Sequence, residues 1–297
     1  MNTNEFKTYH PIVNFVYFVS VIGFSMFFMH PVFLLISLLS GFIYSVVLRG
    51  RKAIKTNILY MLPSVIIMAL LNPAFSHEGV SIITYLPSGN PLTIESIIYG
   101  IVAAVMIISV ICHFSCYNEV MTSDKFIYLF GKAAPSLSLI FSMTLRFVPR
   151  FISQFKATAD AQRCIGRDIS YGGIITRAKN CILILSGITT YALESSVETS
   201  DSMKSRGYGL HGRSAFSIFR FDKRDAHILL CILGLSTYVF IGIVTGKIYF
   251  RYYPSVSFNT ASIYSASVIL AFLILCIIPI IIEFWEVRKW KSIRSKI

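Results

Sequence analysis

The sequence predicts an all-α polytopic membrane protein, with about six transmembrane helices and a cytoplasmic module of amphipathic helices inserted among them. Three observations predict this. With 55% hydrophobic residues, 14% charged residues and a mean hydropathy of +0.68, a chain of 297 residues has too little polar surface to cover a water-soluble sphere. Fifteen of the 27 Lys and Arg residues fall between Lys125 and Arg224, with long uncharged apolar sequence on either side. Lys and Arg collect on the cytoplasmic side of spanning segments, so this block reads as a cytoplasmic module held by membrane at both ends.

Six segments are long enough to span and lack Asp, Glu, Lys and Arg: Ile12 to Met29, Pro31 to Leu48, Asn57 to Phe75, Ser96 to Cys112, His227 to Gly246 and Ala261 to Ile282. Each covers about 25 to 33 Å as a helix at roughly 1.5 Å per residue. The first is too long for a signal peptide and no small-residue cleavage site follows it. Lys7 precedes span 1, His30-Pro31 makes the turn into span 2, and Arg49, Arg51, Lys52 and Lys55 separate span 2 from span 3, which sets the N-terminus inside. Lys and Arg are absent between Lys55 and Lys125, so the Gly-, Pro- and Ser-rich loop from Ser76 to Pro91 lies outside. Spans 5 and 6 repeat the excursion, and the tail from Arg288 to Lys296 adds five positive charges inside. The regions are therefore 1–119 with four spans, 120–225 as the cytoplasmic module, and 226–297 with two spans and a basic tail, in a multi-pass cell-membrane protein with both termini cytoplasmic.

Two shorter apolar runs lie within the basic block, Leu137 to Leu145 and Cys181 to Tyr191. If both crossed, Arg150, Lys156, Arg163, Arg167, Arg177 and Lys179 would be outside, against the charge rule. Their length suits buried or interfacial helices, and six crossings are favoured over eight. From Leu193 to Lys204, Leu193, Val197 and Met203 form one stripe while Glu194, Glu198 and Asp201 line another. Lys204 and Arg206 occupy the last turn before Gly207, where cations complement the helix dipole and glycine accepts the left-handed cap. Arg150 to Gly166 follows the same plan, with Ile152, Phe155 and Ala159 on one side. Both helices thus end in a basic residue followed closely by glycine. Such an end is either a well-capped helix with solvated charge or a tip that presents arginine to a partner.

Here the residues resemble the transmembrane T component of energy-coupling factor (ECF) transporters, a family that includes the CbiQ-like proteins of cobalt and nickel uptake. Its signature is a pair of Ala-Arg-Gly motifs ending two coupling helices. Ser205-Arg206-Gly207-Tyr208 is similar to the second, and Arg146-Phe147-Val148-Pro149 with Ala161-Gln162 is similar to the approach to the first. Further similarity runs through Arg213, Phe216, Arg220-Phe221 and Lys223-Arg224-Asp225, and His10-Pro11 resembles the family's start. The first motif departs: it reads Cys164-Ile165-Gly166, with Ile165 where the family has arginine and with Arg163 and Arg167 on either side.

The resemblance implies that two ATPase subunits bind the helix tips, and that their closure on ATP moves the T component. This movement tilts a membrane S component that holds a vitamin or transition-metal ion. The docking residues it implies are Ser205, Arg206 and Gly207 at one tip and Arg163, Ile165, Gly166 and Arg167 at the other. The chain itself lacks a Walker A sequence, because Gly131-Lys132 has neither the upstream glycine nor the following Ser or Thr. No catalytic, metal-binding or substrate-binding residue and no cofactor is expected, and anionic headgroups of the lipid bilayer or an acidic partner at the cytoplasmic face take up the net charge of +13 in place of nucleic acid, for which no aromatic-interleaved groove is present. Cys112 and Cys116, with His113 between them, have helical spacing that places both thiols on one face but lack a fourth metal ligand, and Cys164, Cys181, Cys231 and Cys276 are scattered. Two rival classes are an ordinary ABC importer permease, which would need a polar cluster in its spans, and an intramembrane enzyme, which would need a nucleophile with its base at membrane depth. The spans show neither.

Overall fold

The computed structural model describes residues 5–76, 79–85, 91–131, 134–210, 219–246, 248–255, 257–258 and 262–294. Of the positions named above, Lys132, Arg213, Phe216, Ala261 and Lys296 lie outside them. The fold is the all-α polytopic membrane protein that the sequence predicts. Among the described residues five helices are long and apolar enough to cross a membrane: α2 (Pro31–Arg49), α3 (Arg51–Phe75), α4 (Ile94–Val120), α8 (Lys223–Val244) and α9 (Ile263–Arg294, over Ile263–Glu286). A shorter apolar helix, α1 (Pro11–Phe27), precedes them. The chain divides into two compact units, Met1–Lys125 with Phe219–Ile297, and Phe126–Ile218.

In the first unit the helix ends follow local chemistry. Proline occupies the first turn of α1 and α2, where its missing N–H costs nothing, and His10 Nδ1 accepts from the Ile12 N–H at 3.3 Å to cap α1. Gly50, at φ +65°, makes the turn between α2 and α3. Thr93 Oγ1 caps α4, and Asp222 with Asp225 forms a reciprocal capping box at the start of α8. A two-stranded ribbon, β1 (Ile82–Tyr85) with β2 (Pro91–Thr93), joins α3 to α4. A second ribbon, β3 (Phe250–Arg251) with β4 (Ser257–Phe258), lies between α8 and α9.

The core of this unit is aromatic. Phe6 meets Tyr17 edge-on at 5.4 Å and Tyr44 at 6.4 Å, and Phe33 stacks on Phe272 at 4.7 Å. Apolar side chains gain little by leaving lipid for each other, so close helix approach falls to small residues. A Cβ at Gly100 would stand 2.7 Å from the Met68 carbonyl oxygen, and one at Gly41 would stand 3.0 Å from His113 Nε2. Leu59, Leu70 and Ile241 point away from the packed interior, as lipid-facing side chains do. Helix α9 continues past the predicted limit at Ile282. Its buried Glu283 accepts from the backbone N–H groups of Glu5 and Phe6, satisfying a 3₁₀ turn at Glu5–Thr8.

The second unit holds the end of α5 (Ser123–Gly131) and two long helices, α6 (Pro135–Cys164) and α7 (Ile174–Ser205). The apolar runs at Leu137 to Leu145 and Cys181 to Tyr191 are not separate elements. Each is continuous with the amphipathic stretch that follows it, and neither α6 nor α7 is among the membrane-crossing candidates. Pro149, which the sequence suggests as a boundary, sits inside α6, where it removes one i→i−4 hydrogen bond without ending the helix. The apolar stripe predicted for α7 also has a different role. Leu193 and Val197 are 65% and 61% exposed, and α7 instead buries Ile184 and Ser195. Amphipathicity identifies an apolar face but not what covers it.

Candidate functional site

Helix α7 ends in a Schellman turn. Arg206 is the C-cap, Gly207 follows at φ +75°, the Gly207 N–H donates to the Lys204 carbonyl at 2.9 Å, and the Tyr208 N–H donates to the Met203 carbonyl at 3.0 Å. A Cβ penalises that conformation, which glycine adopts readily. Arg206 is exposed, and no hydrogen bond or ion pair engages its guanidinium among the described residues. Ser205 is turned back, its hydroxyl donating to the Ser202 carbonyl at 2.9 Å.

Helix α6 ends in the same way. Ile165 is the C-cap, Gly166 has φ +81°, the Gly166 N–H donates to the Arg163 carbonyl at 3.0 Å, and the Arg167 N–H donates to the Gln162 carbonyl at 2.9 Å. Bond for bond, Ile165 occupies the place of Arg206 and Gly166 that of Gly207, while Arg163 and Arg167 match Lys204 and Tyr208. Ile165 is 70% exposed, so the cap leaves an apolar side chain in the open. Its two basic neighbours differ. Arg163 Nε lies 3.3 Å from Asp168 Oδ2, whereas Arg167 is exposed and has no ion pair among the described residues. The Ser170 N–H donates to Asp168 Oδ1 at 2.9 Å and, with the Arg163 guanidinium, holds this carboxyl below the usual carboxylate range.

The two tips sit at opposite ends of an antiparallel pair. Phe151 meets Tyr191 edge-on at 6.3 Å, Thr158 approaches Gly187, and the Asn180 side chain donates to the Asp168 carbonyl at 2.9 Å, so residue numbers rise on α6 as they fall on α7. Arg206 shares a groove with Met143 and Arg146 of α6, some 20 residues before Ile165. At about 1.5 Å per residue the two turns stand roughly 30 Å apart. This pair therefore ends in two similar, exposed, widely separated turns, one cationic and one apolar at its apex.

Cys112, His113 and Cys116 are buried in the first unit. The described residues contain no group of three or more His, Cys, Asp or Glu able to hold a metal ion. His113 Nε2 is instead 3.1 Å from the Ser37 carbonyl and 3.2 Å from its hydroxyl, which also bonds Ser25 at 2.6 Å and Ser109 at 2.7 Å. This corrects the reading that the spans bring no polar cluster or nucleophile–base pair together. Serines are too common in apolar segments for sequence to reveal which ones meet. Ser37 is wholly buried, and the knot joins α1, α2 and α4 as interhelical hydrogen bonds do in membranes. Asp168 is also absent from the sequence-based site. It lies five residues beyond Arg163, a spacing that becomes a contact only once the Schellman turn folds the chain back.

No family model matches the chain. Its curated relatives include energy-coupling factor transporter transmembrane proteins EcfT. That of Lactobacillus helveticus is 35% identical over 98 residues, 33% of this chain and 35% of the relative. The Staphylococcus aureus protein is 29% identical over 114 residues, 38% of this chain and 42% of the relative, and the Streptococcus thermophilus protein 28% over 113 residues, 38% and 43%. The chain spans only about a third to two fifths of the length of these relatives in the matched stretches. Over about a third of its own length, at 28–35% identity, the chain is therefore similar to the EcfT/CbiQ-like transmembrane component of ECF transporters.

Proposed function

We propose that this chain is the transmembrane coupling (T) subunit of an ECF-type ABC importer, passing ATP-driven movement of two ATPase subunits to a membrane S component that carries a vitamin or transition-metal ion. The observation that carries this reading is the repeated turn: two helices of one pair end in the same Schellman geometry at opposite ends, roughly 30 Å apart by their helical rise. A single partner site would not need the duplication, whereas two ATPase subunits with like grooves would. Arg206, Ser205 and Gly207 form one docking tip, and Ile165, Gly166, Arg163 and Arg167 the other. Exposed apolar side chains along α6 and α7, among them Phe141, Ile152, Ile182 and Leu193, suit a membrane-embedded S component. Both termini and the coupling module face the cytoplasm, as the distribution of Lys and Arg favours. The chain hydrolyses no ATP and contributes no catalytic group, and the relatives' role as a transporter membrane component supports this.

The test is a set of four variants at matched membrane expression, assayed for complex yield and substrate uptake. An arginine inserted into a partner groove and paired there is worth roughly 2 to 5 kcal/mol when truncated, whereas a solvated one is worth about 0 to 1. Arg206→Ala should therefore reduce assembly or uncouple hydrolysis from uptake. Ile165→Ala should act weakly, through lost apolar contact. Arg167→Ala should exceed Arg163→Ala, because Arg163 is already tied to Asp168. Wild-type assembly and uptake by Arg206→Ala would reduce this tip to a capped helix end.

A further inference from the structure

The groove beside Arg206 has a charge imbalance that the docking of helix tips leaves unused. The groove has a volume of about 750 Å³ between α6 and α7, and besides Arg206 two further guanidinium groups line it, those of Arg146 and Arg150, against one carboxylate, Glu198. No ion pair joins Glu198 to any of the three among the described residues. Arg146 and Arg150 stand at i and i+4 on one helix face, a like-charge pairing that weakens a helix unless an anion lies between them. Arg150 also rests over the Tyr191 ring at 5.4 Å, which holds its position along the helix.

The same groove is not polar throughout. Met143, Phe147 and Met203 line it and continue into a second trough of about 380 Å³, where Leu139 and Tyr208 join them. The arginines thus head an apolar channel. A free phosphate would use only the first part and an apolar helix only the second, whereas a ligand with an anionic head and an aliphatic tail uses both.

We propose that this groove is a binding site for an anionic phospholipid, with the phosphate held by Arg146 and Arg150 and an acyl chain lying along Leu139, Met143, Phe147 and Met203. Guanidinium groups are suited to phosphate through paired N–H donors. The site is independent of the coupling proposal, since it requires only the α6 and α7 pair.

The full chain in mild detergent would be titrated with phosphatidylglycerol and, separately, phosphatidylcholine, and bound lipid counted by native mass spectrometry. Wild type should retain phosphatidylglycerol in preference. Arg146→Gln with Arg150→Gln should weaken its binding roughly thirtyfold, as expected for two lost surface charge contacts. Leu139→Asp should lower it through the tail, while Arg51→Gln with Lys52→Gln, a basic pair elsewhere, should leave it unchanged. Glycerol phosphate, which lacks the tail, should compete poorly. Equal retention of the two lipids, unaltered binding by the Arg146/Arg150 variant, equal loss in the Arg51/Lys52 control, or full competition by glycerol phosphate would each overturn the proposal. Loss of ATPase co-purification with lipid retention intact would assign the arginines to an acidic segment of a partner protein instead.

Discussion

Asp168 decides which arginine at the first helix tip is available to a partner. Its carboxylate takes the Ser170 N–H and the Arg163 guanidinium, so Arg163 is committed within the chain while Arg167 is not. A carboxyl whose folded pKa is depressed contributes stability that is complete above its unfolded value, about 4, and lost as pH falls through the lower folded value. Amide exchange at Ser170 should therefore be unchanged from neutral pH to about pH 5 once intrinsic rates are corrected, and should quicken in stronger acid. Asp168→Asn should show the quickened exchange already at neutral pH; slow exchange in that variant would mean the turn holds itself without the carboxylate. Residue chemistry was legible where the backbone dictates it. Gly166 and Gly207 announced their turns, and Arg206 its place in the cap. Asp168 and the Ser25, Ser37, Ser109 and His113 knot were not legible, because each depends on chain segments meeting in space.

At the scale of elements, the caps carry a measurable strain prediction. An L residue at φ +75° or +81° pays roughly 1 to 2 kcal/mol, so Gly207→Ala and Gly166→Ala should each loosen the last turn of their helix. A Cβ at position 166 meets nothing within 4 Å, so its effect should be pure backbone strain, whereas one at 207 would also press on the flexible end of Leu210 at 3.0 Å. Exchange at the Arg167 and Tyr208 amides, which close the two turns, would report it; unchanged protection would remove the left-handed glycine from the account. Gly100→Ala has no such flexible neighbour. Its methyl would reach the Met68 backbone, so α3 and α4 must separate, at a cost of about 1 to 3 kcal/mol read as a lower Tm in detergent. Spans were legible as elements because twenty apolar residues in a row have few other uses, but α3 begins at Arg51 rather than Asn57, α4 runs to Val120 rather than Cys112, and α9 to Arg294 rather than Ile282. The long helices α6 and α7 were not, since Pro149 and the change from apolar to amphipathic sequence each resemble a boundary. Both turned out to be local features of one continuous helix.

For the whole molecule, the absence of Lys and Arg from residues 56–124 motivates the proposed topology, with the loop after α3 outside. In a cysteine-free background, Ser81→Cys should react with an impermeant thiol reagent on intact cells and Ser170→Cys should not; labelling at 170 would place the coupling module outside. Similarity to EcfT covers about a third of the chain, so the partners remain a proposal that the repeated helix ends support. The most direct measurement is reconstitution. The purified chain alone should show no ATP hydrolysis. Expressed from one operon with its partners, it should bring down two ATPase subunits and an S component, and proteoliposomes of that complex should take up substrate only with ATP, in proportion to hydrolysis. ATP turnover by the chain alone, or ATP-driven uptake by the chain with ATPases and no S component, would contradict the coupling account and favour an enzyme or an ordinary permease respectively.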